Sequence, residues 1–225
     1  GSGNGLSVSS PMSPSAAYNA MGPGKTFYFR AGTYNQNYSG GGVYGYTNYT
    51  LGQSRGGTQG LPMAMVGYPN ETVVFRTPDS TRGNIRLDGN EAPANYVTIA
   101  NFTMMGGADN INGGGITVAY GEVANSGGLG LRVVGNIFSA SYTWNTMTGL
   151  VTVRNNGARI LGNEFKDTGT TPPINNNHAI YVQLGSSDVE VGWNYLRNLR
   201  MGHVIQVHTD KSFTYTDVRI HDNVI

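Results

Sequence analysis

The chain has 225 residues, enough for one domain with a substantial core; 34 of them are glycine and only 12% are charged, which suits short strands and tight turns rather than helical bundles. A net charge of +1 supplies no global field for nucleic acid, and the absence of Cys removes disulfide and thiolate–metal frameworks. No uninterrupted apolar run reaches the roughly 18 residues of a membrane-spanning helix, so no membrane span is expected.

The first predicted element is a short helix, with Ser13 as N-cap, Pro14 at the first helical position, a run from Ser15 to Met21, and Gly22 as terminator. Pro23-Gly-Lys-Thr-Phe27-Tyr-Phe29-Arg-Ala-Gly32-Thr-Tyr34 then alternates as strands do. Residues 34–60 read as a Gly-rich loop carrying Tyr34, Tyr38, Tyr44, Tyr46, Tyr49 and Arg55. Tyrosine faces stack well on sugar rings while glycine keeps such a loop adaptable, which makes Tyr44 and Tyr46 substrate-binding candidates.

From Leu61 onward the chain repeats itself. Leu131-Arg-Val-Val-Gly-Asn136-Ile-Phe138, Ala158-Arg-Ile-Leu-Gly-Asn163-Glu-Phe165, Val189-Glu-Val-Gly-Trp-Asn194-Tyr-Leu196 and Val218-Arg-Ile-His-Asp-Asn223-Val-Ile225 superimpose without gaps. A fifth copy, Val97 to Met104, puts Phe102 in the Asn slot. Between these copies lies a second set of alternating strands: Ile116–Val118, Val151–Val153, Ile180–Val182 and Ile205–Val207. The period is about 30 residues, the range of solenoid repeats.

Strands this short bury no core as hairpins. Stacked coil on coil about 4.8 Å apart, they form parallel sheets around one apolar interior, and the crossover preference makes the coil right-handed. The expectation is therefore an all-β, right-handed, single-stranded parallel β-helix with a short N-terminal capping helix, one domain over residues 1–225. It divides into a cap (1–25), a loop insertion (34–60) and repeat coils (61–225). Asn136, Asn163, Asn194 and Asn223 should stack at one corner, because Asn tolerates left-handed backbone and its amide bonds to the amide one coil away. Val218–Ile225 reads as another repeat strand, which implies coils beyond residue 225 or end-to-end self-association with a second copy.

The phrase Gly22 to Tyr34, with Leu61-Pro-Met-Ala-Met-Val-Gly-Tyr-Pro-Asn-Glu-Thr-Val-Val-Phe75 and Asn95-Tyr-Val-Thr-Ile-Ala-Asn-Phe102, resembles the opening coils of bacterial β-helix proteins of the pectate lyase-like superfamily. His178-Ala-Ile-Tyr-Val182 and Gly202-His-Val-Ile-Gln-Val207 look like that group's recurrent coils. The resemblance runs from about residue 10 onward. It implies an extracellular or cell-surface protein whose partner is a polysaccharide, although the superfamily also holds hydrolases, epimerases, tailspikes and adhesins.

Alternation gives the outer face. With Ile116, Val151, Ile180 and Ile205 inward, Thr117, Thr152, Tyr181 and Gln206 form one outward row, and Ala119, Arg154, Gln183 and His208 the next. His178 and His203 precede these strands, and Asp210 and Lys211 follow the last. A polyuronate lyase needs a cation for the sugar carboxylate, a base for the C5 proton and an acid for the leaving oxygen. Arg154 suits the first role, Lys211 or His208 the second, and Tyr181 or His178 the third; Gln183, Gln206 and His203 would bind substrate. The resemblance implies a Lys or Arg base with Ca²⁺ or basic side chains as neutraliser. No Ca²⁺ or other metal site is identified, since Asp188 and Glu190 have no acidic neighbours in sequence, and no other cofactor is implied. Sparse outward carboxylates argue against hydrolysis. The rival reading is a non-catalytic structural subunit of a surface fibre, adhesin or tailspike.

Overall fold

The computed structural model describes residues 3–35, 49–51, 53–76, 85–87, 94–105, 116–117, 128–139, 148–183, 185–208 and 214–225. Lys211, Tyr44 and Tyr46 lie outside them. The helix α1 (Pro14–Ala20) starts at Ser13, whose hydroxyl accepts the Ala16 N–H at 3.1 Å, and Pro14 sits in the first turn, where a missing N–H removes no bond. It stops at Met21, which adopts extended backbone (φ −60°, ψ 145°). The stop therefore falls one residue before the expected Gly22, because Pro23 cannot continue the helix.

The strands then follow coil by coil. The first coil carries β1 (Thr26–Phe29), β2 (Gly32–Asn35) and β3 (Tyr49–Thr50), and the second β4 (Met63–Gly67), β5 (Val73–Arg76) and β6 (Ile85–Arg86). The third has β7 (Val97–Ala100), β8 (Thr103–Met105) and β9 (Ile116–Thr117), and the fourth β10 (Arg132–Val134), β11 (Ile137–Ser139) and β12 (Thr148–Val153). The fifth has β13 (Arg159–Leu161) and the long β14 (Glu164–Gln183), and the sixth β15 (Val189–Gly192) and β16 (Tyr195–His208), before β17 (Val218–His221). The first strand of each coil enters a seven-stranded sheet, β1-β4-β7-β10-β13-β15-β17. The others form a ten-stranded sheet, in which β14 pairs with β11 at one end and β12 at the other and so spans the second and third faces. Each ladder is parallel and joins a strand to its counterpart one coil away, the defining topology of a parallel β-helix.

Register converts the sequence repeat into packed ladders. Phe27, Met65, Ile99, Val133, Ile160, Val191 and Ile220 stack along the first face. Phe75, Met104, Phe138, Phe165 and Leu196 stack along the second, and Ile85, Ile116, Val151, Ile180 and Ile205 along the third. The Phe138 and Phe165 rings stack face to face at 4.6 Å. Burying a side chain such as Met65, Ile99, Phe138, Phe165 or Val151, each fully buried, contributes about 1.5–3 kcal/mol, whereas Phe27 and Ile205 are half-buried and Ile220 is exposed. The third face begins earlier than the sequence repeat suggested: β3 lies within the expected 34–60 loop, and Leu51, Ile85 and Leu87 are fully buried.

The corner between the first two faces carries the asparagine ladder. Asn136 Nδ2 donates to Asn163 Oδ1 at 3.1 Å, Asn163 to Asn194 at 3.0 Å and Asn194 to Asn223 at 2.9 Å, across sequence separations of 27, 31 and 29. Phe102 occupies the next slot and donates its N–H to Asn136 Oδ1 at 3.0 Å. One detail differs from the expectation. The left-handed residue is the one before each ladder position: Asn101 (φ 63°), Gly135 (62°), Gly162 (62°), Trp193 (56°) and Asp222 (51°). The chain turns there so that the following Asn can point inward, where its amide replaces water.

Candidate functional site

The third face aligns the expected side chains in three rows. Gly149, His178 and His203 share one register, Thr152, Tyr181 and Gln206 a second, and Gln183 and His208 a third. Arg154 joins the last row by donating its Nε–H to Gln183 Oε1 at 2.9 Å. Ring centroids lie 4.6 Å apart for His178 and Tyr181, 5.7 Å for His178 and His203, and 6.1 Å for Tyr181 and His208.

The rows are not uniformly open to solvent. Tyr181 is 1% exposed, His178 2%, Thr152 3% and Gln183 8%, whereas His203 is exposed and Gln206 and His208 are half-buried. A local fold of β12 explains part of this. Thr152 Oγ1 accepts the Gly149 N–H at 2.8 Å and donates to the Gly149 carbonyl at 3.2 Å, which brings Gly149 against Tyr181. A Cβ at position 149 would lie 2.9 Å from Tyr181 Cβ, so only glycine permits this approach.

Burial sets the protonation of His178. Loss of solvent lowers its pKa below the ordinary 6.5, an effect opposed by its bond to the His203 backbone and reinforced by the neighbouring imidazoles of His203 and His208. Its Nδ1 lies 3.1 Å from the His203 carbonyl oxygen. A carbonyl only accepts, so Nδ1 holds the proton and the neutral ring keeps its lone pair on Nε2. Tyr215 braces the far edge of the same strands, its hydroxyl donating to the His208 carbonyl and lying 3.3 Å from that of Val182. Among the described residues no group of three or more His, Asp or Glu is placed to hold a metal ion.

A second polar assembly lies outside the first face, and sequence reasoning did not single it out as functional. Asp188 accepts from Arg159 at 3.0 Å and from Arg219 at 3.2 Å, and the Arg159 hydrogen bond, above all, holds its carboxyl below the usual range. Glu190 pairs with Arg159 at 3.2 Å and with His221 Nε2 at 3.2 Å, while His221 Nδ1 meets Asp222 at 2.9 Å. Both ring nitrogens thus face carboxylates. The Asp222 bond, with a smaller effect from Glu190, raises the His221 pKa above 6.5 despite desolvation. The signal in the sequence was positional: Trp193 fills a slot that the sister coils give to Gly, Asn or Asp.

Parallel strands stacked in register, an inward asparagine ladder and a polar strip along one face define the class of this protein as a parallel β-helix. Among solved structures it is similar to the crystal structure of pectate lyase Pel9A, at 18% sequence identity and a TM-score of 0.42, over 96% of this chain. The chain spans 55% of the length of that protein. No family model and no curated protein matches it. No helix among the described residues is long and apolar enough to cross a membrane.

Proposed function

We propose that this β-helix binds an extended polysaccharide along its third face, at the cell surface or outside the cell. The observation that carries this reading is the polar edge of His203, Gln206 and His208, exposed or half-buried along β16, with the half-buried Arg154 bonded to Gln183 beside it. The finer reading is polyuronate lysis. Arg154, Gln183, His208 and Tyr181 form one compact patch, with Arg154 bonded to Gln183 and the Tyr181 and His208 rings 6.1 Å apart. In that chemistry Arg154 pairs with the uronate carboxylate and His208 or Lys211 removes the C5 proton. The C4–O bond breaks as the C4=C5 bond forms, and Tyr181 protonates the departing oxygen.

A non-catalytic role, as in a fibre or adhesin subunit, is favoured by a different observation: His178 and Tyr181 are 2% and 1% exposed, as packing residues are. Incubation with polygalacturonate, alginate and glycosaminoglycans, with and without Ca²⁺, separates the two. Growth of the unsaturated-uronate absorbance that is lost in His208→Ala supports lysis. Retention on immobilised polyuronate without that absorbance leaves binding alone, and neither result leaves the structural role.

A further inference from the structure

We propose that Trp193 and its neighbours form a second saccharide site, on the corner between the first two faces, that takes a neutral sugar ring. Trp193 occupies the left-handed position before ladder residue Asn194, with φ 56°. The equivalent positions hold Asn101, Gly135, Gly162 and Asp222, residue types suited to that backbone, whereas a bulky aromatic is strained there. Burial does not compensate, because Trp193 is 56% exposed. Strain without burial points to a use for the exposed ring.

The surroundings hold that ring in place. Gly192 lacks the Cβ that would lie 2.8 Å from the His221 imidazole, so His221 of the next coil folds into the gap. There it meets the Trp193 ring edge to face, with centroids 4.8 Å apart and planes at 88°. His221 is itself fixed by Glu190 and Asp222. Two residues further on, Tyr195 is 48% exposed on the other side of the corner, with the Arg197 guanidinium 6.0 Å from its ring centre.

The chemistry selects the ligand. An aromatic face beside hydrogen-bonding carboxylates matches a polyhydroxylated ring, whose C–H face stacks on indole while its hydroxyls donate to carboxylate oxygen. The exposed Asp222 and the half-buried Glu190 flank His221 and offset its charge, so a second anion is disfavoured and a neutral sugar fits better than a uronate. The exposed apolar surface beside Trp193 includes Tyr195 and, paired with it on the next coil, Val224, so a second copy seated there is the rival occupant that the dependence on protein concentration tests.

Trp193 is one of two tryptophans, so Trp144→Phe leaves it as the sole indole reporter. In that background, cellohexaose, xylohexaose, maltohexaose and arabinohexaose are titrated, with hexagalacturonate as the acidic control. At least one neutral hexasaccharide is expected to shift Trp193 emission saturably and protect it from acrylamide. Calorimetry on the otherwise native chain should show its affinity falling about tenfold or more in Trp193→Gly and Trp193→Ala. Trp193→Gly, relieved of strain, is expected to melt higher than the parent, which separates loss of binding from loss of fold. The proposal is overturned if no neutral sugar perturbs Trp193, if Trp193→Gly binds as well as the parent, or if only hexagalacturonate responds. It is also overturned if emission shifts with protein concentration alone, as a second copy seated on the ring would cause. Neither Trp193→Gly nor Trp193→Ala touches the third face, so this site and that one fail or hold separately.

Discussion

Asn163 donates from Nδ2 to Asn194 Oδ1 at 3.0 Å, and the same oxygen accepts the Asn163 backbone N–H at 3.0 Å. Asn163 Nδ2 also reaches the Val133 carbonyl one coil back at 2.9 Å, and its own Oδ1 accepts both N–H groups offered by Asn136. Asn163→Leu therefore strands partners on both sides in a site that is 1% exposed. The expected loss is about 1–3 kcal/mol, read from the shift in urea midpoint. An unchanged midpoint would mean that the ladder adds nothing to stability.

The ladder is also the part of the fold most legible in the amino-acid sequence. Four gap-free repeats with the same inward residue specify stacked coils, because backbone geometry recurs whenever the side-chain pattern does, and Phe102 sits where the fifth copy placed it. The third face is less legible. Alternation identifies Tyr181 and Thr152 as pointing away from the core, but their burial depends on how Gly149 folds back, a contact between residues that pattern does not connect. The strand β3 is hidden for a related reason, since two residues among glycines carry no period to detect. The His221 cluster is illegible as a unit, because Arg159, Glu190 and His221 come from three coils and meet only through register, Asp222 alone being a sequence neighbour.

Two glycines should separate crowding from backbone conformation. A Cβ at Gly67 would lie 2.0 Å from the Asn101 carbonyl oxygen, which is backbone and cannot swing aside. Gly135 has φ 62° but nothing within 4 Å of a Cβ, so an alanine there meets only the left-handed penalty. Gly135→Ala is expected to lose about 1–2 kcal/mol. Gly67→Ala should lose about 3 kcal/mol or fail to fold, since the clash forces two coils apart. Thermal denaturation of both variants checks the order, and equal losses would contradict it.

The histidines should titrate on opposite sides of 6.5. Burial lowers the His178 pKa, so its contribution to stability is present above the unfolded value of 6.5 and is lost as pH falls through the lower folded value. The Asp222 hydrogen bond raises that of His221, so its contribution is present below 6.5 and is lost as pH rises through the higher folded value. Ring resonances followed by NMR across pH 4–9 should therefore show His178 charging below about 6.5 and His221 above it. Asp222→Asn should move the His221 transition down and leave that of His178 in place. A His221 midpoint unchanged by that substitution would remove the carboxylate as the cause.

Arg154 offers the most direct test of an acidic ligand on the third face. Its Nε–H is bonded to Gln183 at 2.9 Å, which fixes the side chain beside the row that continues to His208. A hydrogen bond from a guanidinium to a uronate carboxylate contributes about 1.5–3 kcal/mol, or roughly 10–150-fold in affinity. Arg154→Ala is expected to weaken polygalacturonate binding within that range and to flatten its dependence on salt, while methyl-esterified polymer binds both forms alike. Arg154→Lys keeps the charge but not the planar fork that meets Gln183, so it should recover only part of the affinity. Equal losses toward acidic and esterified polymer would assign Arg154 to shaping the strip through Gln183, and a loss confined to the acidic polymer would place its charge against the carboxylate.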